Sequence, residues 1–425
     1  MQKQMQAIFI LAGTAVGSGM LSLPIVLAHI GIIPSILLML VCVFMTYISA
    51  LMRTELNLHS DSRFTLELVG LRFSGKGAAY VGKISLRLLQ FALLSAYIYG
   101  LSSVLVENDN TLKIIVGFGC FVLLVLATDR IISLNHKVFI SLVLVIIAAV
   151  IGMVLKIDFT ALPHNTNAIA LPQLCIILPT LFTSFGFQGS LHSVTKFCNN
   201  DPKLIKTACF WGSLMPAILY AGWVIGVIAL IFGTHPDLFA RMAAKGIDVN
   251  ELVQALCSIS DARMVKAVVF VISVLAIVTS LIGVGLALVD DLDLSLGAFC
   301  GKGKFSKGLA KMVGSASVEG DSSADTTPAQ SASAVMARRI WSAIIAVVPS
   351  LLIAIWVPNA FVKVLSFAGM ILAIIAIFLP AFLLAKIKDP LKFTILNNKP
   401  ILLSCVLFAV LVVACELASI IFSNT

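Results

Sequence analysis

The chain has 425 residues, of which 60% are hydrophobic and only 12% are charged, and its mean hydropathy is +1.08. This composition excludes a soluble globular protein, in which about a quarter of the residues are charged, and it indicates an integral membrane protein. The formal net charge of +9 requires no nucleic-acid partner, because membrane proteins collect lysine and arginine in their cytoplasmic loops.

Long apolar runs follow one another along the whole chain. A helix needs about 20 mainly apolar residues to cross the hydrocarbon core of a bilayer, and with that length the sequence predicts an all-α membrane protein with eleven spans. In chain order, the spans are 7–29, 33–55, 83–106, 112–128, 138–157, 173–195, 207–233, 264–289, 339–357, 361–385 and 400–422. The first run is too long for the core of a signal peptide, so we interpret it as a retained helix.

The basic residues predict the orientation of these spans. With a cytoplasmic N-terminus, all but seven of the 29 lysines and arginines fall on the cytoplasmic side, as expected for positive charge. The seven on the other side are Lys113, Lys156, Arg241, Lys245, Arg263, Lys266 and Lys363.

Two long polar segments interrupt the apolar pattern. Residues of about 314–337 are rich in serine, alanine and threonine, which predicts a disordered cytoplasmic insert. In an external loop, Leu252, Val253, Leu256 and Ile259 follow helical spacing and predict a short amphipathic helix over the external mouth. The nine cysteines occur singly, without a CxxC pair, and predict neither a disulfide framework nor a zinc site.

The stretch GTAVGSGM, from Gly13 to Met20, places three glycines inside the first span. Irregular backbone at membrane depth is tolerated only where it lines a cavity or is buried in protein, so these residues suit an unwound binding segment. Their spacing also matches the small residues that let membrane helices pack closely. Taken alone, the stretch leaves both interpretations open.

A second interruption, TSFGFQGS from Thr183 to Ser190, lies in the sixth span after Pro172 and Pro179. Two broken helices at corresponding positions are typical of an inverted repeat of five plus five helices, with the binding site between them. The sequence therefore predicts a first repeat over 1–157, a second over 158–385 and an eleventh helix within 386–425.

Such breaks offer a specific chemistry. Free N–H groups at the start of the outer half of span one, around Gly17 to Gly19, present the positive end of a helix dipole to a carboxylate. Unwound carbonyl groups can accept hydrogen bonds from an ammonium group. A zwitterionic amino acid satisfies both without a charged side chain in the membrane.

At these residues the sequence resembles the bacterial hydroxy and aromatic amino acid permeases, in particular the tyrosine-specific and tryptophan permeases. The resemblance extends over nearly the whole chain, apart from the polar insert. The stretches that carry it are GTAVGSGMLSLP (Gly13 to Pro24), TSFGFQGSLHSV (Thr183 to Val194) and TSLIGVGLALVDDL (Thr279 to Leu292), with weaker agreement at SAYIYG (Ser95 to Gly100) and YAGWV (Tyr220 to Val224).

The resemblance implies a fold like that of LeuT in the bacterial inner membrane, and uptake of an aromatic amino acid by alternating access and proton symport. It implies no enzyme activity and no cofactor. The substrate-binding residues carried over are Gly13, Thr14, Gly17, Ser18 and Gly19 on one side, and Ser184, Phe185, Gly186, Phe187 and Gln188 on the other. The aromatic permeases usually have histidine at the position of Gln188, so the role of that histidine does not carry over.

Tyr97 in span three is the preferred residue for the aromatic end of the pocket, because its ring can stack on a substrate phenol or indole and its hydroxyl can hydrogen-bond to it. An ordinary tyrosine at a helix contact is the alternative. A carrier of serine or threonine type is the alternative substrate class, and an amino acid sensor that does not translocate is the alternative function.

Candidate residues for ion coupling are less specific. Thr279 and Ser280 in span eight can face span one, although such hydroxyls often bond to their own backbone. The acids Glu55 and Asp290 close spans at the cytoplasmic side, where a solvated charge is the simpler interpretation. Glu416 lies inside the last span, where an acid is a functional candidate or a subunit contact. The sequence leaves proton and sodium open.

Overall fold

The structure is a computed structural model. It describes residues 2–17, 19–60, 64–106, 109–126, 129–154, 171–245, 247–258, 263–300, 332–357 and 360–423. The regular elements in these ranges are all helices, without a strand among them, so the predicted all-α class is confirmed. Of the predicted insert, residues 314–331 lie outside the described residues, and residues 332–337 begin a helix.

The helices follow one another with short connections. In chain order, they are α1 (Gln2–Ala15), α2 (Gly19–Leu27), α3 (Ile32–Leu58), α4 (Leu66–Ser74), α5 (Lys76–Leu105), α6 (Asn110–Val125), α7 (Asp129–Val154), α8 (Leu171–Ser184), α9 (Leu191–Phe197), α10 (Pro202–Thr234), α11 (Pro236–Lys245), α12 (Val249–Ser258), α13 (Arg263–Cys300), α14 (Ala332–Trp356), α15 (Ala360–Ala373), α16 (Leu379–Leu384) and α17 (Lys399–Ser423). A 3-10 turn, Gln188–Ser190, precedes α9, and a π-helical turn, Ile374–Phe378, joins α15 to α16.

Seven helical segments are long and apolar enough to cross a membrane by themselves. These segments are α3, α5, α10, α13, α14, the continuous α15 and α16, and α17. The bent pair α1 and α2 forms a further span, and shorter apolar helices lie in α6, in α7 and from α8 to the following 3-10 turn. Each of the eleven predicted spans therefore contains a described helix, while the number that cross the membrane stays a prediction.

Small residues bring the helices around α8 close together. A Cβ atom on Gly212 of α10 would lie 2.6 Å from the Leu11 Cβ of α1. Gly369 of α15 lies against the Pro179 carbonyl group of α8, which leaves no space for a side chain. Such small residues let membrane helices approach at backbone distance, and here they enclose α1, α2 and α8 between α10 and α15.

The two ends of the bundle are tied by polar contacts. At one end, the Arg338 guanidinium group of α14 lies 2.6 Å from the Asp293 carboxylate of α13. At the other end, the Tyr99 hydroxyl group of α5 donates a hydrogen bond of 2.7 Å to Asp248, just before α12. Helix α12 is the predicted amphipathic helix, and it buries Leu252, Val253 and Leu256, whereas Ile259 lies outside the described residues.

Candidate functional site

The first span is broken at the predicted position. Helix α1 ends at Ala15 and α2 begins at Gly19, and the two helix axes are bent by 58°. Val16 and Gly17 are buried and non-helical, and Ser18, a predicted binding residue, lies outside the described residues. The N-terminus of α2 and the C-terminus of α1 therefore meet at this break, where free N–H and carbonyl groups are exposed to each other.

The sixth span is also broken where the sequence predicts it. Helix α8 ends at Ser184, Phe185–Phe187 form a turn, and the chain continues through the 3-10 turn into α9. The turn is held by a hydrogen bond of 2.9 Å from the Gly186 N–H group to the Thr183 carbonyl. The Thr183 hydroxyl group in turn donates to the Pro179 carbonyl at 2.9 Å, near the point where this proline removes one N–H group from α8.

The two breaks touch each other and span eight. A Cβ atom on Gly19 would lie 2.7 Å from the Ser184 hydroxyl oxygen and 2.9 Å from the Ser184 Cβ. A Cβ atom on Gly17 would collide with the Ser280 hydroxyl group of α13. The glycines therefore serve close packing at an unwound segment, and ligand binding at this segment stays a prediction.

Tyr220 of α10 joins the two breaks. Its hydroxyl group donates to the Ala15 carbonyl at 2.8 Å and also lies 3.2 Å from the Ser184 carbonyl. Its ring packs edge-on against Phe185, with 5.5 Å between the ring centroids. The fully buried Tyr220 thus contacts the C-terminal ends of α1 and α8 and holds them side by side.

The sequence analysis did not single out Tyr220 as a site residue. The tyrosine occurs in YAGWV, one of the weaker stretches of the family resemblance. A tyrosine in the middle of an otherwise apolar span is a usable signal, because a buried phenol hydroxyl needs a hydrogen-bond partner. Only the fold, however, shows that its partners are the two helix breaks.

The aromatic residues predicted for the pocket lie close to this point. Phe185 and Phe187 are fully buried, and Tyr97 of α5 is also buried. Tyr97 interacts electrostatically with Tyr220, so the two tyrosines lie near each other. The structure therefore brings Tyr97, Phe185 and Tyr220 together beside the first break.

Two other predicted residues, Gly13 and Thr14, lie on the face of α1 that is turned away from the second break. A Cβ atom on Gly13 would lie 2.9 Å from the Phe139 ring of α7. Thr14 is exposed, and its hydroxyl group donates a hydrogen bond of 2.6 Å to the Ile10 carbonyl group. Their side-chain positions therefore point away from the second break, because helical geometry turns them from the face that carries Ala15. Only their backbone carbonyl groups, in the last turn of α1, remain available to a ligand.

Gln188 contacts a helix that the sequence analysis did not associate with it. Its side-chain amide donates a hydrogen bond of 2.8 Å to the Ser49 hydroxyl group of α3. Its Oε1 atom is buried and has no hydrogen-bond partner within the described ranges. The position at which the family resemblance expects histidine is therefore held by an amide with one free acceptor.

The hydroxyl groups proposed for ion coupling bond to their own helix. Thr279 donates to the Leu275 carbonyl at 2.8 Å, and Ser280 donates to the Ala276 carbonyl at 2.9 Å. Ser280 nevertheless lies against Gly17 and so faces span one. Its role in coupling stays a prediction.

Glu55 differs from its interpretation as a solvated acid at the membrane edge. Its side chain is 0% exposed, and its two oxygens accept hydrogen bonds from the backbone N–H groups of Lys392 at 2.7 Å and Phe393 at 2.9 Å. His59 lies 3.2 Å from the same carboxylate. The interpretation was wrong because the loop before α17 folds back over α3, a contact between segments far apart in the chain.

Asp290 does resemble a surface charge. Its side chain is 63% exposed and lies 3.6 Å from the Arg339 guanidinium group. Among the described residues, no group of three or more histidine, cysteine, aspartate or glutamate side chains has a geometry that would hold a metal ion. The polar groups at the breaks are instead backbone amides, hydroxyls and one side-chain amide.

Comparison with known proteins identifies the family. The model of the tryptophan/tyrosine permease family matches residues 1–416. The chain belongs to this family. The permease is 26% identical over 399 residues to "Tyrosine-specific transport system 1" of Haemophilus influenzae, covering 91% of this chain and 89% of that protein. The predicted family resemblance is confirmed, and the permease is a multi-pass membrane protein of a family that transports aromatic amino acids.

Two further relatives show the range of named substrates. The "Tryptophan-specific transport protein" of Shigella flexneri is 26% identical over 421 residues, covering 95% of the permease and 92% of the relative. The "Glutamine transporter 2" of Aliivibrio fischeri is 27% identical over 292 residues, covering 66% and 73%. Similar chains thus carry names for an aromatic and for an amide substrate.

Proposed function

We propose that the permease imports tyrosine or tryptophan across the bacterial inner membrane by proton symport and alternating access. The observation that carries the proposal is the meeting of two helix breaks inside the bundle, joined by the Tyr220 hydroxyl group. Broken helices that face each other form the substrate sites of transporters built from inverted repeats.

The first break suits the zwitterionic part of an amino acid. The start of α2 at Gly19 offers N–H groups and the positive end of a nine-residue helix to a carboxylate. The end of α1 offers the carbonyl groups of Gly13 and Thr14, since that of Ala12 accepts the Val16 N–H group and that of Ala15 accepts the Tyr220 hydroxyl group. An ammonium group can bind to these two groups, so backbone atoms recognise both charges of the substrate.

The neighbouring aromatic side chains suit an aromatic substrate. Phe185 and Tyr220 already pack edge-on, and Tyr97 lies near them. A third ring can add to such a cluster, because aromatic pairs gain about 0.5–1.5 kcal/mol beyond the burial of their area. Tyr97 and Gln188 carry polar groups that can bind a phenol hydroxyl or an indole N–H group.

The arrangement of the half-helices supports a repeat of five plus five spans, followed by an eleventh helix. The half-helix α2 of span one packs against α8 of span six, and α1 packs against α9. Each half of one broken span therefore lies beside a half of the other, as in an inverted repeat. In this proposal the N-terminus is cytoplasmic, which agrees with the distribution of basic residues.

The contact between the breaks supports the proposal of alternating access. Ser184 and Gly19 lie so close that a ligand cannot enter between them. Substrate entry and release therefore require the two halves to separate and close again, first on one side of the membrane and then on the other.

The test is uptake of labelled tyrosine and tryptophan into proteoliposomes that contain the purified permease. An inward proton gradient and an inward sodium gradient are imposed separately, with excess serine or glutamine as competitor. We expect accumulation that follows the proton gradient and is unaffected by either competitor. Accumulation with sodium alone would overturn proton coupling, and inhibition by serine or glutamine would overturn the aromatic specificity.

A sensor is distinguished by the same assay, because it binds substrate without accumulation under either gradient. The polar insert is the feature that would favour a sensor. Deletion of residues 314–331, which leaves helix α14 intact, should not reduce uptake by a carrier. Loss of uptake after this deletion, with binding retained, would favour a signalling role for the insert.

A further inference from the structure

Helix α17 carries an acid inside the membrane that the site above does not use. Glu416 is 4% exposed and lies seven residues before the end of α17, which corresponds to a depth of about 10 Å at the rise of an α-helix. An ionisable side chain at such a depth is expensive, and it marks a functional site by default. Its surroundings decide which function it can serve.

Glu416 has one polar neighbour across the helix interface. The Ser366 hydroxyl group of α15 donates a short hydrogen bond to Glu416 Oε2. Ser366 lies six residues after the start of α15, at a depth of about 9 Å, which agrees with the depth of Glu416. The other oxygen receives no hydrogen bond from the residues that the structure describes.

The charged groups around Glu416 are few. The other titratable groups beside it are the thiol groups of Cys415 on the same helix and Cys175 of α8, which interact with each other. Lys363, one turn before Ser366, is exposed. None of the ion pairs among the described residues includes Glu416. Among the residues with described positions, a carboxylate here has a single hydrogen-bond donor and no counter-ion.

Glu55 provides the contrast within the same protein. Its two oxygens accept two backbone N–H groups, and His59 is adjacent. A buried carboxylate with several donors is stable as an anion, whereas one with a single donor gains from taking up a proton. The two carboxylates therefore differ in their surroundings, because Glu55 accepts two backbone N–H groups and Glu416 accepts one hydroxyl group.

Glu416 is linked to the break of span six through α15. The Thr183 hydroxyl oxygen lies 2.9 Å from the carbonyl oxygen of Leu365, the residue before Ser366, and 2.9 Å from that of Pro179, so its single proton is shared between the two. The Thr183 carbonyl group accepts the hydrogen bond from the Gly186 N–H group that closes the turn of the break. Helix α15 also lies directly on α8 at Gly369. A shift of α15 relative to α17 therefore reaches the break through two contacts.

We propose that Glu416 is the proton-binding residue that couples the gradient to movement of the span-six break. A proton from the outer aqueous phase binds the carboxylate and forms a neutral carboxylic acid, whose O–H group can then donate to Ser366. After the transition, the same proton leaves to the cytoplasm and restores the carboxylate. The inference rests on proton symport as proposed above, and it names the group that carries the proton.

Glu416→Gln tests the inference, because the amide has the shape of the neutral acid but cannot release a proton. The wild type is first shown to accumulate substrate under an inward proton gradient. The variant should then lose accumulation and retain exchange of internal for external labelled substrate, which needs no net proton movement. Gradient-driven accumulation by the variant at the wild-type level would overturn the inference. A wild type without any response to the proton gradient would instead refute the proposed function.

Glu251→Gln is the matched control, because Glu251 pairs at the protein surface with Arg241 at 2.8 Å and lies in the external loop. Its accumulation should equal that of the wild type. An equal loss of accumulation in both variants would show a general effect of removing an acid and would overturn the inference.

Ser366→Ala tests whether the contact between Ser366 and Glu416 serves proton binding or only the packing of the two helices. This variant tests the inference even if Glu416→Gln cannot be purified. Removal of the only donor to the carboxylate favours the protonated form, so the external pH of half-maximal uptake should move upward while uptake at low pH persists. A purely structural contact would lower uptake at every pH without moving that midpoint. An unmoved midpoint would therefore overturn the inference.

Discussion

The two helix breaks are packed differently. Gly17 and Gly19 in the first break are buried, and a Cβ atom on either would collide with Ser280 or Ser184. In the second break, a Cβ atom on Gly186 would lie 3.0 Å from the Thr183 carbonyl oxygen and 3.2 Å from the Leu372 side chain, whereas Gly189 is exposed and has nothing within 4 Å. The packing thus loosens from the first break to the far end of the second.

From this difference we expect the first break to serve ligand recognition and the later part of the second break to allow movement. The first break is held by α13, α8 and α10, and precise recognition of a ligand requires such well-positioned groups. The later part of the second break has free space on one side. We therefore expect substitutions in the first break to damage binding and those near Gly189 to be tolerated.

The largest expected effect is that of Gly17→Leu. The new side chain has no space beside Ser280, so it should displace the unwound segment and abolish binding, while the apolar spans keep the protein in the membrane. Binding of labelled tyrosine and tryptophan to the purified variant measures the first effect, and gel filtration in detergent measures the second. Gly189→Leu, in open space, is the matched control. Normal binding by Gly17→Leu would show that the first break is not the site.

A smaller change at the same contact is Gly19→Ala. One added methyl group must displace Ser184, whose backbone Cα would lie only 3.1 Å from it. Overpacking costs about 1–3 kcal/mol, so a loss of affinity of about tenfold is expected if the strain falls on the bound state. The dissociation constant checks this, with Gly189→Ala in parallel. Equal affinities of Gly19→Ala and Gly189→Ala would show that the two breaks do not differ in their effect on binding.

Tyr220→Phe should have an intermediate effect. It keeps the ring contact with Phe185 and removes the hydroxyl group between the Ala15 and Ser184 carbonyls. The loss of one hydrogen bond costs about 1 kcal/mol, so the thermal midpoint should fall and binding should weaken. Tyr47→Phe, a half-buried tyrosine that packs edge-on against Phe210, is the control. An equal fall of the thermal midpoint in Tyr220→Phe and Tyr47→Phe would show that the hydroxyl group between the breaks has no special role.

The smallest effect is expected for Gly189→Ala. This glycine is not among the residues with positive φ, and its Cβ position is open. Alanine should therefore stabilise the protein by about 0.4–1 kcal/mol through the unfolded state and leave uptake unchanged. A thermal shift assay and the uptake assay measure both. A strong loss of uptake at unchanged stability would show that the backbone at Gly189 changes conformation during transport.

Much of the fold could be predicted because its signals are local. Apolar runs of membrane length produce helices at all eleven predicted positions, and the glycines around Gly17 and Gly186 break the first and sixth spans as predicted. The family resemblance rests on the same stretches. The positions of Thr14 and Gly13 were less predictable, since a glycine-rich motif does not indicate which face of its helix meets a partner.

The sequence by itself determined the membrane class, the helical segments and the two breaks, because these follow from hydropathy and from the backbone properties of glycine and proline. Only the tertiary structure decided that Tyr220 bridges the breaks, that Glu55 is buried under a distant loop and that Ser366 meets Glu416. The reason is physical: each of these contacts joins residues far apart in the chain, and a single polar residue in an apolar helix carries no local signal of its partner.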